Sequence, residues 1–399
     1  MDFDLPDETR ALQRMCRDFA DREIRPYAAE WSETEHVPTG TYKKMGELGL
    51  MGMLVEERYG GGDAGFVAYV AAMEEIGRAD QSLASGWNAH STIASLPLAT
   101  FGTEEQTQRW RAPGAAATHR GAVGLPEPTA GSDARGIRTR AVRADGGWLI
   151  NGTKMFITTA GTDMSLGVTL LAVTDDGADG ADGGNGGGGA GGKRFGTFFV
   201  PDGTAGYEKG RRLRKLGWHA CDTRELVFTD CWIPDDHLIG DDGNGLKQFM
   251  QVLDPGRISV AALALSLASA ALEMAVRHST EREQFGRRIG DFQAVGHKLA
   301  DMATEVEAAR ALVYRAAWLA DSGRPYAQAA AMAKLYASEV ANRCARDSVQ
   351  IHGGYGYIRE SEISRFYADA KILEIGEGTN EVQRNVIART LTTGPGARG

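Results

Sequence analysis

The chain has 399 residues, of which 42% are apolar and 24% charged, the balance of a globular protein long enough for two or three domains. Fifty-three acidic against 44 basic side chains leave a net charge of −9. That argues against a nucleic-acid surface, and no nucleic-acid partner is expected.

In chain order, Met1-Asp2-Phe3-Asp4 is acidic and has neither the apolar core of a signal peptide nor an Arg-rich transit pattern, so a cytoplasmic location is expected. Residues 7 to about 118 carry helical spacing (Leu12, Met15, Phe19, Trp31), with Asp7 placed as a cap and Pro26 bending or ending the first helix. Gly60-Gly61-Gly62-Asp63-Ala64-Gly65 formally matches G-x-G-x-x-G. No buried strand precedes it and no βαβ unit surrounds it, so it reads as a turn before a helix over Phe66 to Arg78.

Between about Arg120 and Pro234 the period becomes that of strands. Ala141 to Ile150 reads as a hairpin with an Asp145-Gly146 turn, and Val168–Thr174, Phe195–Pro201 and Leu226–Pro234 read as further strands. Asp175 to Lys193 holds ten glycines and four aspartates; it cannot bury apolar area and is expected to be a mobile surface loop without a catalytic role.

After Asp241 helices return. Asp254-Pro255 is expected to start one, with Asp as N-cap and Pro at the first helical position. The apolar run Ile258 to Val276 carries Ser259, Ser266, Ser269 and Glu273, which fits a buried bundle helix rather than a membrane span. Phe292, Val295, Leu299, Met302, Val306, Ala309, Val313, Ala316 and Ala320 step by threes and fours, the seam of an antiparallel bundle. Gly323 and Pro325 end that helix, and Tyr326–Val349 forms another, stopped by Gly353-Gly354. The four cysteines (Cys16, Cys221, Cys231, Cys344) form no C-x-x-C pair, so a reduced chain without a metal site is expected. The expected organisation is α+β but mostly α: an N-terminal helical domain (1–118), a middle β-barrel or sandwich-like domain (119–238) and a C-terminal four-helix bundle (239–399).

Ile375-Gly376-Glu377-Gly378-Thr379-Asn380-Glu381 is the stretch richest in chemistry. One carboxylate lies between two glycines, before good N-cap residues and a helix over Val382 to Leu391. Such a bend suits a general base facing a ligand, with an anion seat at the first helical turn. The plain alternative is a solvated loop glutamate.

Six segments in this order resemble the acyl-CoA dehydrogenase family over nearly the whole chain. They are Leu125-Pro126-Glu127-Pro128-Thr129-Ala130-Gly131-Ser132-Asp133, Lys154-Met155-Phe156-Ile157-Thr158, Asp222-Thr223-Arg224, Arg282-Glu283-Gln284-Phe285-Gly286 with Phe292-Gln293, Gln350-Ile351-His352-Gly353-Gly354, and Glu377-Gly378-Thr379. The resemblance implies FAD as cofactor and an acyl-CoA substrate oxidised to the 2-enoyl-CoA, with Glu377 taking the α proton and flavin N5 the β hydride. It implies an electron-transfer flavoprotein as acceptor and a homotetramer, a dimer of dimers sharing FAD across each dimer. By the same resemblance Val123, Leu125, Pro126, Gly131, Ser132, Phe156, Ile157 and Thr158 would contact the flavin. Arg282, Gln284, Phe285, Phe292, Gln293, Gln350, Gly353, Gly354, Thr379 and Glu381 would hold its diphosphate and adenosine parts. Ser132, Asp254, Arg257, Gly378 and Arg389 would meet the substrate or support the base. His352 is read as a loop or packing histidine. Some members carry the base directly before the residue matching Arg257; here that residue is Gly256.

The chain departs from the family pattern at Pro126, where Thr is usual, and at Thr129, where Gly is usual. Proline offers no donor, and a lost neutral hydrogen bond is worth about 0.5–1.5 kcal/mol, enough to retune a flavin without abolishing its binding. Gly376 replaces a bulky aromatic and either widens the acyl site or merely relaxes the turn. Two other readings keep the fold: an oxidase or oxygenase-like member using O₂, and a non-catalytic or DNA-associated flavoprotein.

Overall fold

The structure, a computed structural model, describes residues 4–175 and 192–393. The glycine-rich stretch expected as a loop therefore lies, from 176 to 191, outside the described residues.

Helix α1 (Asp7–Glu23) buries Cys16, Phe19 and Ala20 along one stripe. Asp7 does not cap it: Pro6 holds the cap position and Asp7 lies in the first turn, where its charge still opposes the helix dipole. Pro26 sits in a 3₁₀ turn that separates α1 from a short helix carrying Trp31, as expected. Helices α2 (Gly65–Ala79) and α3 (Gln81–Ala89) follow, the second capped by Asp80, whose Oδ1 accepts the Leu83 N–H at 2.7 Å. The N–H groups of Phe66 and Val67, at the start of α2, donate to the Asp321 carboxylate at 2.6 and 2.8 Å. The glycine-rich turn thus presents its helix end to a protein carboxylate, which fits its reading as a turn rather than a nucleotide motif. Beyond α3 the chain tightens into a π-helical turn, His90–Ala94.

The strands are β1 (Arg120–Gly124), β2 (Arg140–Ala144), β3 (Gly147–Thr158), β4 (Ser165–Asp175), β5 (Arg194–Pro201), β6 (Tyr207–Arg212), β7 (Thr223–Pro234) and β8 (Leu238–Ile239). They form one sheet in the order β6-β7-β3-β2-β4-β5-β8, with β1 pairing β4 in parallel. The expected hairpin is β2–β3, where Ala144 pairs Gly147 across Asp145-Gly146 and Gly146 takes φ +65°. β1 and β6 were not anticipated. One is half glycine and small residues and the other largely charged, so neither carries the alternation that marks a strand.

Helices α4 (Gly245–Glu281), α5 (Gln293–Asp321), α6 (Ala327–His352) and α8 (Asn380–Thr393) make the bundle, with α7 (Glu362–Ala370) packed beside it. Asp254-Pro255 does not start a helix but lies within α4. The upstream turns bury Phe249 and Val252, with Phe249 packed against Val173 and Phe195 of the sheet. Side chains of that size gain about 1.5–3 kcal/mol each on burial, which offsets the roughly 3 kcal/mol of an internal proline. On α5, Met302, Val306, Ala309, Val313 and Ala316 of the expected seam are buried. One apolar core runs from Phe19, Tyr69 and Trp87 through the Ile258–Ala275 stretch of α4 to Val340 and Phe366. Among the described residues α4 alone is long and apolar enough to cross a membrane, and most of that apolar stretch is buried inside the protein.

Candidate active site

The Glu377 turn is held from three sides. Glu377 takes φ +50° and Gly378 φ +90°. A left-handed non-glycine residue costs about 1–2 kcal/mol, so its surroundings must enforce it. Thr379 caps α8 through its Oγ1, which accepts the Val382 N–H at 3.3 Å. Asn380 does not cap: its buried Oδ1 accepts from Lys334 Nζ and from Ser338 Oγ, each at 3.0 Å. Gln383 Nε2 donates to the Gly378 carbonyl at 2.8 Å.

Glu377 is half-buried, and its carboxylate Oε2 is out of contact with solvent and has no hydrogen-bond partner. A Cβ placed on Gly256 would stand 2.5 Å from Oε2 and 3.1 Å from Ile93 Cγ2. The residue before Arg257 and the Glu377 carboxylate therefore address the same point, and only glycine leaves it open. Burial pushes the Glu377 carboxyl up to about 8, with the Lys334 ammonium and then the Arg257 guanidinium pulling it back. Arg257 is buried and ion-paired with Asp254, and its Nε lacks a partner. Tyr69 is fully buried, donates to Asn88 Oδ1 at 3.1 Å and feels the charge of Glu377. A half-buried side chain with a sealed carboxylate oxygen does not fit the solvated-loop alternative for Glu377. Gly378 and Thr379 belong to the same turn, Glu381 is exposed one step beyond it, and Arg389 is exposed further along α8, away from the carboxylate.

A second group forms on the sheet. Lys154 points inward from β3, fully buried, and its Nζ donates to Glu127 Oε1 at 2.9 Å and to the Leu125 carbonyl at 3.1 Å. Glu127 also accepts the N–H groups of Arg138 and Thr139, at 2.7 and 2.9 Å. Burial would raise its carboxyl, but Lys154 and these donors hold it below its usual range. The pair pins the loop carrying Val123, Leu125, Pro126, Gly131 and Ser132. Val123 and Leu125 are half-buried, and Gly131 and Ser132 are exposed. The Pro126 carbonyl accepts the Met155 N–H at 2.9 Å, so proline keeps the acceptor role while lacking a donor.

Just past Lys154 the β3–β7 register slips, and Phe156 bulges out with φ +63° and 63% exposure. An exposed aromatic on a left-handed bulge is spare stacking surface. Ile157 packs into the sheet core, leaving only its main chain for a ligand, and Thr158 ends the strand half-buried. The π-helical turn joins the two groups: the Gly121 N–H of β1 donates to His90 Nδ1 at 3.3 Å, and Ile93 of the same turn faces Gly256. The Asp222 carboxylate accepts from Gly161 N–H at 2.8 Å and Arg224 Nε at 3.0 Å, a structural role.

The remaining candidates lie elsewhere. Arg282 stands 5.9 Å over the Tyr355 ring, Phe285 and Phe292 meet edge to face at 6.0 Å, and His278 stacks on His352 at 4.3 Å. Gln284, Gln293, Gln350, Gly353 and Gly354 are exposed around them, and Phe285 is 93% exposed at φ +54°. α4 and α6 run side by side in the same sense, with Arg257 near Lys334 at one end and His278 against His352 at the other. At 1.5 Å per residue the two ends are about 30 Å apart. One chain therefore does not bring the Arg282 group to Glu377. The exposed Phe156, the arginine beside open aromatic surface and the clear space over Gly131, Gly353 and Gly354 suit a long, flat, anionic cofactor. Among the described residues no group of three or more His, Cys, Asp or Glu could hold a metal ion.

Lys334, Gln383, Tyr69 and the π-helical turn were not anticipated, and Asn380, expected as a cap, holds Lys334 and Ser338 instead. Lys334 carried a signal: it lies on the helix face of Ala330, Ala337 and Ala341, all buried.

Comparison with known proteins matches residues 6–118, 122–231 and 243–392 to the acyl-CoA dehydrogenase N-terminal, middle and C-terminal domains. The "Probable acyl-CoA dehydrogenase YngJ" of Bacillus subtilis (strain 168) is 43% identical over 391 residues, 98% of this chain and 100% of its own length. Butyryl-CoA dehydrogenase from Megasphaera elsdenii superposes with a TM-score of 0.91 at 39% identity, covering 98% of this chain and 100% of its own. A structure described as an electron transferring flavoprotein of Acidaminococcus fermentans, in work on electron bifurcation, contains a chain with a TM-score of 0.92 at 41% identity. It covers 98% of this chain and 100% of that one.

Proposed function

Because the chain belongs to the acyl-CoA dehydrogenase family, a family of FAD-dependent oxidoreductases, we propose that Glu377 is the base that removes the α proton of an acyl-CoA on the way to the 2-enoyl-CoA. The observation that carries this reading is the enclosed Glu377 carboxylate, with an unpartnered Oε2 and a carboxyl pushed up to about 8. A base must hold a proton taken from carbon at near-neutral pH, and a group titrating there is matched to the task. The main-chain N–H of Glu377 would donate to the thioester carbonyl and stabilise the enolate oxygen. Gly256 leaves space for the carboxylate to swing without a clash. Arg257, ion-paired with Asp254, and Ser132 are the side chains proposed to meet the CoA arm or support the base.

FAD, when bound, supplies the acceptor for the β hydride. Phe156, the main chain at Ile157, Thr158 and the Leu125–Ser132 loop would hold its ring system. The Arg282 group would hold the diphosphate and adenosine of a neighbouring protomer's cofactor, since it lies about 30 Å from the base in its own chain. This supports the dimer of dimers. Likeness to a butyryl-CoA dehydrogenase, together with Gly376, favours a short or branched acyl group. Likeness to a chain solved in work on an electron transferring flavoprotein favours such a protein as electron acceptor.

The test is anaerobic flavin bleaching by a panel of short, branched, medium and aromatic acyl-CoAs. One class should bleach the wild type, and Glu377→Gln should slow it about 10²–10⁴-fold while retaining FAD. Equal bleaching by both proteins would remove Glu377 from the chemistry. Bound FAD that no acyl-CoA reduces would remove the dehydrogenase reading, and rapid reoxidation of reduced, product-bound flavin by air would replace the flavoprotein acceptor with O₂.

A further inference from the structure

Lys334 lies inside the bundle with 0% of its surface exposed, on a helix face otherwise lined by alanines. Its Nζ donates to Asn380 Oδ1, a neutral acceptor, at 3.0 Å. Sealing an ammonium away from water costs several kcal/mol unless opposite charge compensates it. The carboxylates that face it are Glu377, Glu374 and Glu381, while Arg257 opposes it. Glu377 is the enclosed one of the three, and the charged groups acting on it are Lys334 and Arg257. Asn380 opens α8 three positions after Glu377, so the Lys334 bond also anchors the left-handed turn.

Resting on the reading of Glu377 as the base, we propose that Lys334 is its positioning residue. Held by Asn380, its buried ammonium fixes the Glu377–Asn380 turn and supplies positive charge that favours the ionised form of the base. A methionine would fill the same space without desolvating a charge, yet a cation is buried here, and its charge acts on the Glu377 carboxylate. Burial draws the Lys334 ammonium down to about 8, with Glu377 the first of the carboxylates that pull it back up.

The experiment follows the protonation of Glu377 in the FAD-loaded protein without substrate, by infrared difference spectroscopy of its carboxyl group, with Glu377→Gln subtracted to assign the band. Lys334→Met should raise the midpoint by about one pH unit or more, the usual effect of removing a nearby opposite charge. Lys334→Gln can still donate to Asn380 and serves where the methionine variant folds poorly; it should shift the midpoint in the same direction. Lys334→Arg, which keeps the charge, should restore most of the wild-type midpoint. A wild-type midpoint in both neutral variants would overturn the role of Lys334 while leaving Glu377 as base. Wild-type flavin reduction in Glu377→Gln would instead overturn the base assignment, and with it the role built on it.

Discussion

The buried carboxyl of Glu377 works against the fold at every pH above the one at which a free glutamate ionises. Its folded pKa, about 8, lies above the unfolded value of about 4.3, so the folded state binds the proton more tightly. The stability this provides is fully present below about pH 4.3 and is lost as pH rises toward 8. Glu377→Gln has no proton to lose. Its melting temperature, measured in the FAD-loaded protein, should sit near the wild type at pH 5 and exceed it by several degrees at pH 9. A gap that stays constant across that range would mean that the carboxyl is solvated in solution. Glu377 was legible because a lone carboxylate between glycines, just before a helix cap, is an unusual arrangement. Its burial was not legible from the local residues, since it is set by Gly256 and Ile93, both remote in sequence; only the family resemblance pointed to Gly256, and nothing pointed to Ile93.

Among the elements, β3 does the most to build the site. It turns Lys154 inward to pin the loop before Ser132, and two residues later throws Phe156 outward. Lys154→Met should destabilise the protein by about 3–5 kcal/mol, the cost of leaving a buried carboxylate without its partner, and should weaken FAD retention. Adding Glu127→Gln should recover part of the stability, because the amide carries no charge to strand. Thermal melting with flavin absorbance on both variants checks this; a single variant as stable as the wild type would make the pair dispensable. The hairpin β2–β3 could be read from alternation and its Asp-Gly turn. The bulge at Phe156 could not, because it arises from a register slip against β7. The start of α4 was misread for a related reason. Asp-Pro is a strong local signal, and the burial of Phe249 against the sheet overrides it.

At the scale of the whole molecule, the order of helical, strand and helical regions followed from periodicity, and the likeness to known acyl-CoA dehydrogenases confirms the fold. What one chain cannot supply is a single place where all the resembling segments meet. α4 carries Gly256 beneath the base in its first third and leads into Arg282 at its far end, about 39 Å away. Each protomer would then contribute its base to one catalytic centre and its arginine to another. The consequence is genetic. A subunit bearing Glu377→Gln and a subunit bearing Arg282→Ala are each inactive or cofactor-poor alone, but a hybrid of the two contains one centre with both defects and one with neither. Co-expression should rescue activity to about a quarter of the wild type under random pairing. Silence in the mixture would mean that each chain completes its own site, and two broken genes would then have no whole enzyme to make between them.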